Sequence, residues 1–304
     1  MKRDIAAAGI ITRNYHTEAT NHQLSYYLTG LIEGDGSIIL RKGDREKISP
    51  KFVFTFHSKE LPMYQKLQEV LGSGVINREK SGVCRYSITN SDEVIGIINM
   101  VNGKFRTPKI QALYNAIDNL NGWRGANFLK LPLDGSNLDS NAWLTGLIDT
   151  DGSFSIKLTG NYGSDGSETR GRVQCVFSLN QSRLNRITGE SNLPFMTDIS
   201  EFFQVNLNTK IIKASGPEFN KSSYEALVFV AQSDRKHYII TNYLTKFPLM
   251  TSNHLNYLGF FKGLSYLGKR LTNEEIMEVR NIKNGMNNQR IEFNWDHLNY
   301  FYTK

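Results

Sequence analysis

Apolar and polar positions alternate along this chain with two different periods, and the alternation predicts its secondary structure. A period of two is typical of strands with one buried face, whereas a period near 3.6 is typical of amphipathic helices. The strand-like runs are 49–57, 75–89, 172–180 and 209–231. The helix-like runs are 61–71, 92–102, 108–120, 193–205, 234–244 and 252–267. Each half also begins with a predicted helix. The predicted order in each half is therefore α-β-β-α-β-β-α, with an extra helical stretch near the end of the half.

The chain contains an internal repeat, which is its most informative feature. Leu28–Ile38 recurs 116 residues later as Leu144–Phe154, with mild substitutions. The similarity continues into the following strands, where Phe52–Phe56 aligns with Phe177–Gln181. The sequence therefore predicts one unit of about a hundred residues present in two copies.

The repeat divides the chain into five predicted segments. They are an N-terminal arm at 1–20, a first domain at 21–122, a linker at 123–141, a second domain at 142–268 and a helical tail at 269–304. Asn21 and Ser140 are candidate caps for the two motif helices, and Asn273 is a candidate cap for the tail helix. Residues 287–304 are expected to fold back on the second half.

Composition narrows the class of protein without naming a function. The 304 residues are 39% hydrophobic and 21% charged, which is typical of a globular chain. No apolar run is long enough for a membrane-spanning helix. Cys84 and Cys175 are too few for a disulfide framework or a zinc site, and both are expected to be buried thiols. The net charge of +7 suits a polyanionic partner but does not require one.

The repeated motif carries small residues at helical spacing. Gly30 and Gly34 are four residues apart, as are Gly146 and Thr150 in the second copy. Each motif helix therefore has a face on which another helix backbone can approach closely. If the two motif helices pack along these faces, the acids at their ends come together.

Those acids are Asp35 and Asp151. Two carboxylates at the negative ends of two helices are unfavourable unless a divalent cation lies between them. Together with the carbonyl groups of Gly34 and Thr150, they are hard oxygen ligands that suit magnesium. Magnesium keeps positions for phosphate oxygens and water, the layout of metal-assisted phosphodiester hydrolysis.

A plainer interpretation of the motif is a turn. Gly36 and Gly152 are expected to end the motif helices, and one Gly-Asp-Gly is more often a turn than a metal site. Two matched copies favour the metal pair instead. The preceding acids, Glu33 and Asp149, are expected to have structural roles.

The strands predict sheets with one apolar and one polar face. Amide and basic side chains on the polar face suit base edges in a major groove, although an ordinary solvated face has a similar composition. The candidate DNA contacts of the first half are Ser37, Ile39, Arg41, Lys51, Val53, Thr55, Arg78 and Arg85. Those of the second half are Ser153, Ser155, Lys157, Arg172, Gln174, Ser178 and Asn180. Two such sheets could follow roughly twenty base pairs of duplex.

The two motifs, their spacing and the element order resemble the LAGLIDADG family of homing endonucleases in its single-chain form, over about residues 22–268. The resemblance implies an α+β fold of tandem pseudo-symmetric αββαββα repeats with two antiparallel DNA-binding sheets. It implies a monomer that makes a double-strand break with short 3′ overhangs in a long pseudo-symmetric DNA site, so promoting intron mobility. The C-terminal region is similar to members encoded in fungal mitochondrial introns, which implies a mitochondrial location.

The resemblance also implies roles for single residues. Asp35 and Asp151 correspond to the family's metal ligands, with Mg²⁺ as the cofactor and Mn²⁺ or Ca²⁺ able to occupy the same sites.

Gln181 corresponds to a glutamine that helps to position water, whereas the aligned Phe56 cannot do so. Lys109 corresponds to a lysine that stabilises charge near the scissile phosphate, and Asn253 stands in its place in the second half. The two active sites are therefore expected to be chemically unequal.

Two other functions remain open from the sequence. An RNA maturase would bind its host intron through the same basic, polar surfaces and assist splicing, which makes intron RNA a second candidate partner. A DNA-binding regulator with a relic motif would bind without any effect of metal. The retained acid pair favours cleavage, because a pure binder gains nothing from it.

Overall fold

The computed structural model describes residues 22–40, 49–79, 82–159, 172–213, 223–232 and 234–302. They group into two compact units divided between Thr150 and Asp151, and the segment from Trp295 onward groups with the first unit. This grouping places most of the second motif helix in the first unit. It therefore differs from the predicted domains, 21–122 and 142–268, and those boundaries stay a prediction. No helix in the described ranges is long and apolar enough to cross a membrane.

The first unit contains a four-stranded antiparallel sheet with the strand order β1-β2-β4-β3. Its elements are a helix at 22–34 (α1), β1 (Gly36–Ile39), β2 (Lys51–His57), α2 (Leu61–Leu71), β3 (Val75–Arg78), β4 (Val83–Ile88), α3 (Ser91–Val101) and α4 (Ile110–Arg124). The second motif helix, α5 (Trp143–Asp151), follows α4, and its last residue is the first residue of the second unit.

The second unit repeats this arrangement, with the strand order β5-β6-β8-β7. Its elements are β5 (Gly152–Thr159), β6 (Arg172–Ser182), α6 (Leu193–Phe202), β7 (Leu207–Lys213), β8 (Ser223–Ala231), α7 (Asp234–Lys246), α8 (Asn253–Leu264) and α9 (Asn273–Asn284). The predicted fold class and the order α-β-β-α-β-β-α are confirmed in both halves.

The strand register supports the alignment of the two copies. Gly36 and Gly152 are the first residues of β1 and β5, and each pairs two residues before Phe56 or Gln181 on the next strand. These glycines begin the strands, whereas α1 ends at residue 34 and α5 at Asp151. A Cβ atom on Gly36 would lie 2.6 Å from the Cα atom of a residue in α1, so glycine is required for this tight transition.

The two motif helices pack with their backbones in contact, as the small residues predict. This contact lies within the first unit. A Cβ atom on Gly30 would lie 2.0 Å from the carbonyl oxygen of Trp143, and one on Gly146 would lie 2.1 Å from the carbonyl oxygen of Tyr27. Any larger residue at either position would force the helices apart.

Two of the predicted helix caps are replaced by their neighbours. Ser140 lies in a short 3-10 turn, and the side chain of Asn141 accepts a hydrogen bond from the first backbone N–H of α5 at 3.1 Å. Thr272, not Asn273, caps α9 in a capping box. Adjacent residues of the same type compete for these positions, so pattern alone does not choose between them. Asn21 lies outside the described residues.

The tail divides between the two units, so the prediction that it folds back on the second half is only partly right. The side chain of Asn287 donates to the carbonyl oxygen of Phe154 in the second unit at 3.0 Å. Phe301 and Tyr302 instead pack on Tyr27 in the first unit, with ring centroids 5.8 and 5.1 Å apart.

Candidate functional site

Lys109 holds the end of helix α1, where Asp35 emerges. Its Nζ donates to the carbonyl oxygens of Ile32, Gly34 and Gly36 at 3.0, 2.9 and 3.0 Å. An ammonium group has three N–H donors, and these bonds engage all three. A positive charge at a helix C-terminus is favourable, so Lys109 fixes the backbone next to Asp35 and acts on it through its charge.

The environment of Asp35 sets its ionisation. Desolvation by the surrounding protein raises the pKa of its carboxyl group, whereas the charge of Lys109 lowers this pKa and that of Glu60 raises it. Glu60 was not identified from the sequence; it ends the short turn between β2 and α2. The carbonyl of Gly34, a predicted ligand, already accepts from an ammonium group, and like charge opposes a cation there. The carboxylate of Asp35 is therefore the better oxygen donor in this half.

An aromatic pair occupies the place in the first half that is equivalent to Gln181. The rings of Phe56 and Tyr64 stack with their centroids 3.8 Å apart. Burial raises the pKa of Tyr64 well above its usual value, and the charge of Asp35 raises it further, so the phenol stays protonated. Phe56 has no group with which to position water.

In the second unit, Gln181 contacts the motif acid directly. Its Nε2 donates to Oδ2 of Asp151 at 2.8 Å. Gln181 lies near the end of β6, and Asp151 ends α5. The bond holds the carboxylate of Asp151 in one orientation.

The segment around Asn253 repeats the local geometry around Lys109. The backbone N–H groups of Lys109 and Asn253 donate to the hydroxyl groups of Thr107 and Thr251, each at 3.2 Å. The side chain of Asn253 also donates to the carbonyl oxygen of Gly152 at 3.0 Å, as Lys109 does to the corresponding glycine. The two residues are structurally equivalent, but only Lys109 carries a charge.

The acids that precede Asp35 and Asp151 by two residues are buried and bound by protein groups. Nε1 of Trp143 donates to Oε2 of Glu33 at 2.5 Å, and the hydroxyl of Tyr27 donates to Oδ2 of Asp149 at 2.9 Å. Tyr27 and Trp143 occupy equivalent positions in the two motifs, so the bonds are reciprocal. Burial raises the pKa of Glu33 to about 7, although hydrogen bonds from Thr107 and Trp143 lower it. These acids have structural partners in place of solvent.

The oxygen donors at the helix ends suit a hard cation that keeps much of its water. Within the ranges that the structure describes, no three His, Cys, Asp or Glu residues form a metal cluster. One carboxylate in each half, completed by water and phosphate oxygens, matches the way proteins hold Mg²⁺. The hydroxyl of Thr150 donates to the carbonyl oxygen of Leu147 at 2.8 Å, so the backbone carbonyl of Thr150 is its candidate ligand atom.

The first sheet exposes most of its candidate contact residues. Those that are exposed or partly exposed are Ser37, Ile39, Lys51, Thr55 and Arg85. Thr55 and Arg85 lie opposite each other in the register, and Arg85 also pairs with Glu79 at 3.2 Å. Val53 is only 6% exposed, which leaves little surface for a partner. Arg41 lies outside the described residues.

Arg78 does not share the polar face with Arg85. In the register it lies opposite Cys84, which belongs to the buried face, whereas Asn77 lies opposite Arg85. Because successive side chains on a strand point to opposite faces, Asn77 replaces Arg78 as the candidate contact. The alternation of side chains along β3 and β4 is the sequence signal that indicates Asn77.

The second sheet presents a longer polar face. Ser153, Lys157, Arg172 and Asn180 are exposed, and Ser155, Gln174 and Ser178 are partly exposed. The register adds Asn208 and Lys210 on β7 and Tyr224 on β8 to this face. These three residues were not predicted from the sequence; the alternation of side chains along β7 and β8 is the signal that indicates them.

Duplicated αββαββα units, each with an acid where its motif helix meets its sheet, define the LAGLIDADG fold. The model of the LAGLIDADG endonuclease family matches residues 28–119 and 144–264 of the chain. The chain therefore belongs to the LAGLIDADG endonuclease family.

Individual relatives and structures agree with this assignment. The chain is 26% identical to the intron-encoded DNA endonuclease aI3 of Saccharomyces cerevisiae, with 96% of this chain and 76% of that protein covered. It is also 26% identical to the intron-encoded RNA maturase bI4 of the same yeast, with 70% of this chain but only 32% of that protein covered. Its fold is similar to that of the I-LtrWI LAGLIDADG homing endonuclease bound to target DNA, with 18% identity, a TM-score of 0.61 and 89% and 100% of the two chains covered.

Proposed function

We propose that the protein is a site-specific DNA endonuclease that makes one double-strand break in a long, pseudo-symmetric target. The observation that carries this proposal is the same in each half: the motif acid stands immediately before the first strand of a sheet with an exposed polar face. A duplex that lies along that face brings a phosphate close to the acid. The 26% identity to an intron-encoded DNA endonuclease over nearly the whole chain supports this substrate.

Members of this family depend on a metal ion, and we infer Mg²⁺ as the working cofactor, with Mn²⁺ or Ca²⁺ able to bind in its place. Asp35 would hold it in the first half, and Asp151 with the carbonyl of Thr150 would hold it in the second. The bound cation supplies Lewis acidity and a water of lowered pKa.

The protein's own groups then position the reaction. Gln181 keeps the carboxylate of Asp151 in one orientation through its 2.8 Å hydrogen bond, which sets the direction of the other carboxylate oxygen. Lys109 fixes the backbone beside Asp35 and supplies a positive charge that favours the crowded anionic phosphate of the transition state. Because the second half has Asn253 in that place, hydrolysis there relies more on Gln181 and less on fixed charge.

A single chain with two unequal halves can read an asymmetric sequence as a monomer. The polar faces contain Asn, Ser and Gln beside Lys and Arg, so base contacts accompany phosphate contacts. A modest net charge of +7 fits this mixed mode of binding. We also propose that the protein acts in the mitochondrion and in intron mobility, and its similarity to intron-encoded relatives supports this.

The proposal is tested with the uninterrupted insertion-site DNA of the protein's own intron. Purified protein and Mg²⁺ should give a single double-strand break, and chelation of the metal should abolish it. Ca²⁺ in place of Mg²⁺ should preserve binding in a gel-shift assay. A folded protein that binds this DNA and leaves it intact with Mg²⁺ would contradict the proposal.

A maturase activity is the second candidate function, because one relative is an RNA maturase. Splicing of the host intron in the presence of the protein measures it. Stimulation of splicing that survives Asp35→Asn would establish RNA binding as a separate activity. Absence of stimulation by the wild-type protein would remove this candidate.

A further inference from the structure

The connection between β6 and α6 is an insertion that only the second half contains. In the first half, the corresponding strand and helix are joined by the short turn Ser58–Glu60. In the second half, ten residues, 183–192, fill this position and form what we call the 183–192 loop. The loop begins two residues after Gln181, or about 7 Å along an extended strand. It therefore starts beside the residue that orients the second motif acid.

Hydrogen bonds within the 183–192 loop give it a defined shape. The side chain of Asn185 accepts from the backbone N–H groups of Ile187 and Thr188 at 2.9 and 3.1 Å. Gly189 donates back to the carbonyl of Asn185 at 2.9 Å, and a β-bridge between residues 184 and 191 closes the base. A loop held in this way loses little conformational entropy when it binds a partner.

The tip of the loop displays an aliphatic side chain to solvent. Ile187 is 91% exposed, although its own backbone N–H and that of Thr188 are hydrogen-bonded. A single exposed apolar residue is ordinary on a protein surface. Here, the residue lies on a hydrogen-bonded turn and follows the exposed Arg186, a combination that suits the anionic backbone and apolar base stack of a nucleic acid.

The loop extends the polar face of the second sheet. The guanidinium carbon of Arg186 lies 5.2 Å from the ring centroid of Tyr224. In the strand register, Tyr224 lies on the same face as Asn180 and Lys210. Arg186 and the tip beside it therefore continue the surface that we propose contacts DNA.

The charges around the loop also favour a nucleic acid. Arg183 at its base pairs with Glu225 at 2.9 Å, which neutralises the nearby acid. Arg186 and Lys210 on the sheet side are exposed and basic. The loop also carries the exposed acid Glu190, next to the bridge that closes its base, so the positive charge is confined to the side formed by Arg186 and Lys210.

We propose that the 183–192 loop is a DNA-distorting element of the second half, in which Arg186 contacts a backbone phosphate and Ile187 inserts against a base step near the scissile phosphate. Apolar side chains that enter a base step unstack it and kink the duplex, at an energetic cost that extra contacts offset. A distorted step would let the scissile phosphate approach Asp151. This inference rests on the proposed endonuclease function and adds a residue that acts on the shape of the DNA.

The test uses full-length protein and a target duplex with 2-aminopurine at successive central positions. Binding of the wild-type protein in Ca²⁺ should raise the fluorescence at one step, and Ile187→Ser should abolish this rise. In Mg²⁺, the same variant should cleave about tenfold more slowly, the factor expected when one aliphatic side chain is no longer buried. Ile291→Ser, at an 89% exposed position in the same unit, is the matched control and should behave as wild type. Arg186→Ala should lower the salt dependence of binding by about one phosphate contact.

The outcomes separate this inference from the proposed function. If the wild-type protein cleaves the target and Ile187→Ser matches Ile291→Ser in fluorescence and rate, the inference is wrong and the endonuclease function stands. If the wild-type protein binds DNA without cleaving it, the endonuclease function fails, while the fluorescence still tests the distortion. Loss of intron RNA binding in Ile187→Ser, with DNA distortion unchanged, would assign the loop to RNA and overturn the inference.

Discussion

The side-chain amide of Gln181 donates a 2.8 Å hydrogen bond to Oδ2 of Asp151. The equivalent position in the first half is Phe56, which stacks on Tyr64 and makes no polar contact with its motif acid. The first half instead has Lys109 at the end of its motif helix, where the second half has the neutral Asn253. The two halves therefore support their acids in different ways, and their cleavage reactions should respond to different substitutions.

Replacing Gln181 should slow the cleavage of one DNA strand. Without its hydrogen bond, the carboxylate of Asp151 can rotate, so Gln181→Leu should reduce cleavage of one strand by about tenfold to a hundredfold, the range for a residue that orients a metal ligand. Single-turnover cleavage of a duplex labelled on each strand in turn measures this. Gln289→Leu, at an exposed position, is the control. Equal slowing of both strands would show that Gln181 does not serve one acid alone.

Replacing Lys109 should affect both stability and the pH dependence of cleavage. Lys109→Met leaves three carbonyl groups at the end of α1 without this donor, which should lower the free energy of unfolding by about 1–3 kcal/mol. Because Lys109 lowers the pKa of Asp35, the acid limb of the pH–rate profile should shift to higher pH. Lys283→Met, on the exposed surface of α9, should change neither quantity. An unchanged pH–rate profile in Lys109→Met would refute the electrostatic role.

The close helix contact in the first unit should tolerate no side chain at its glycines. Gly30→Ala places a methyl carbon 2.0 Å from the carbonyl oxygen of Trp143, far inside van der Waals contact, so α1 and α5 must separate. We expect a loss of about 3 kcal/mol or more in the free energy of unfolding. The control is Gly122→Ala on α4, where the added Cβ meets no atom within 4 Å and helix propensity should add about 1 kcal/mol. Similar melting temperatures for both variants would disprove tight packing at Gly30.

The raised pKa of Glu33 should make the protein less stable as the pH rises. The folded protein keeps a proton on this buried carboxyl between pH 4.5 and about 7, whereas the unfolded chain releases it. The free energy of unfolding should therefore fall over this interval, by up to roughly 3 kcal/mol. Denaturant unfolding at pH 5 and pH 8 measures the change, and Glu33→Gln should flatten it. Glu292→Gln, at an exposed position, should leave the slope as it is in the wild type, and an unchanged slope in Glu33→Gln would contradict the assignment.

The fold was predictable from the sequence because its signals are local and are repeated. In each half, the alternation in one run, 49–57 or 172–180, specifies a strand with one buried face, and a small residue, Gly30 or Gly146, specifies a close helix contact. The second copy confirms the first. Caps such as Thr272 were not predictable, because the choice between adjacent residues depends on a single hydrogen bond in the folded chain.

The candidate site was predictable only in part. Asp35 and Asp151 follow from the motif, but the three carbonyl contacts of Lys109 join segments more than seventy residues apart. No periodicity reports such a contact. The exchange of Arg78 for Asn77 depends on strand register, which places Asn77 opposite Arg85 and which composition does not set.

The central claim is that each motif acid serves the cleavage of one strand, and strand-resolved cleavage by acid variants tests it most directly. Wild-type protein with Mg²⁺ should convert a supercoiled plasmid that carries the target to the linear form. In Mg²⁺, Asp35→Asn and Asp151→Asn should each nick one strand, a different strand in each variant, and the double variant should leave both strands intact. Both single variants nicking the same strand, or either one leaving both strands uncut while it still binds the target in Ca²⁺, would contradict the account.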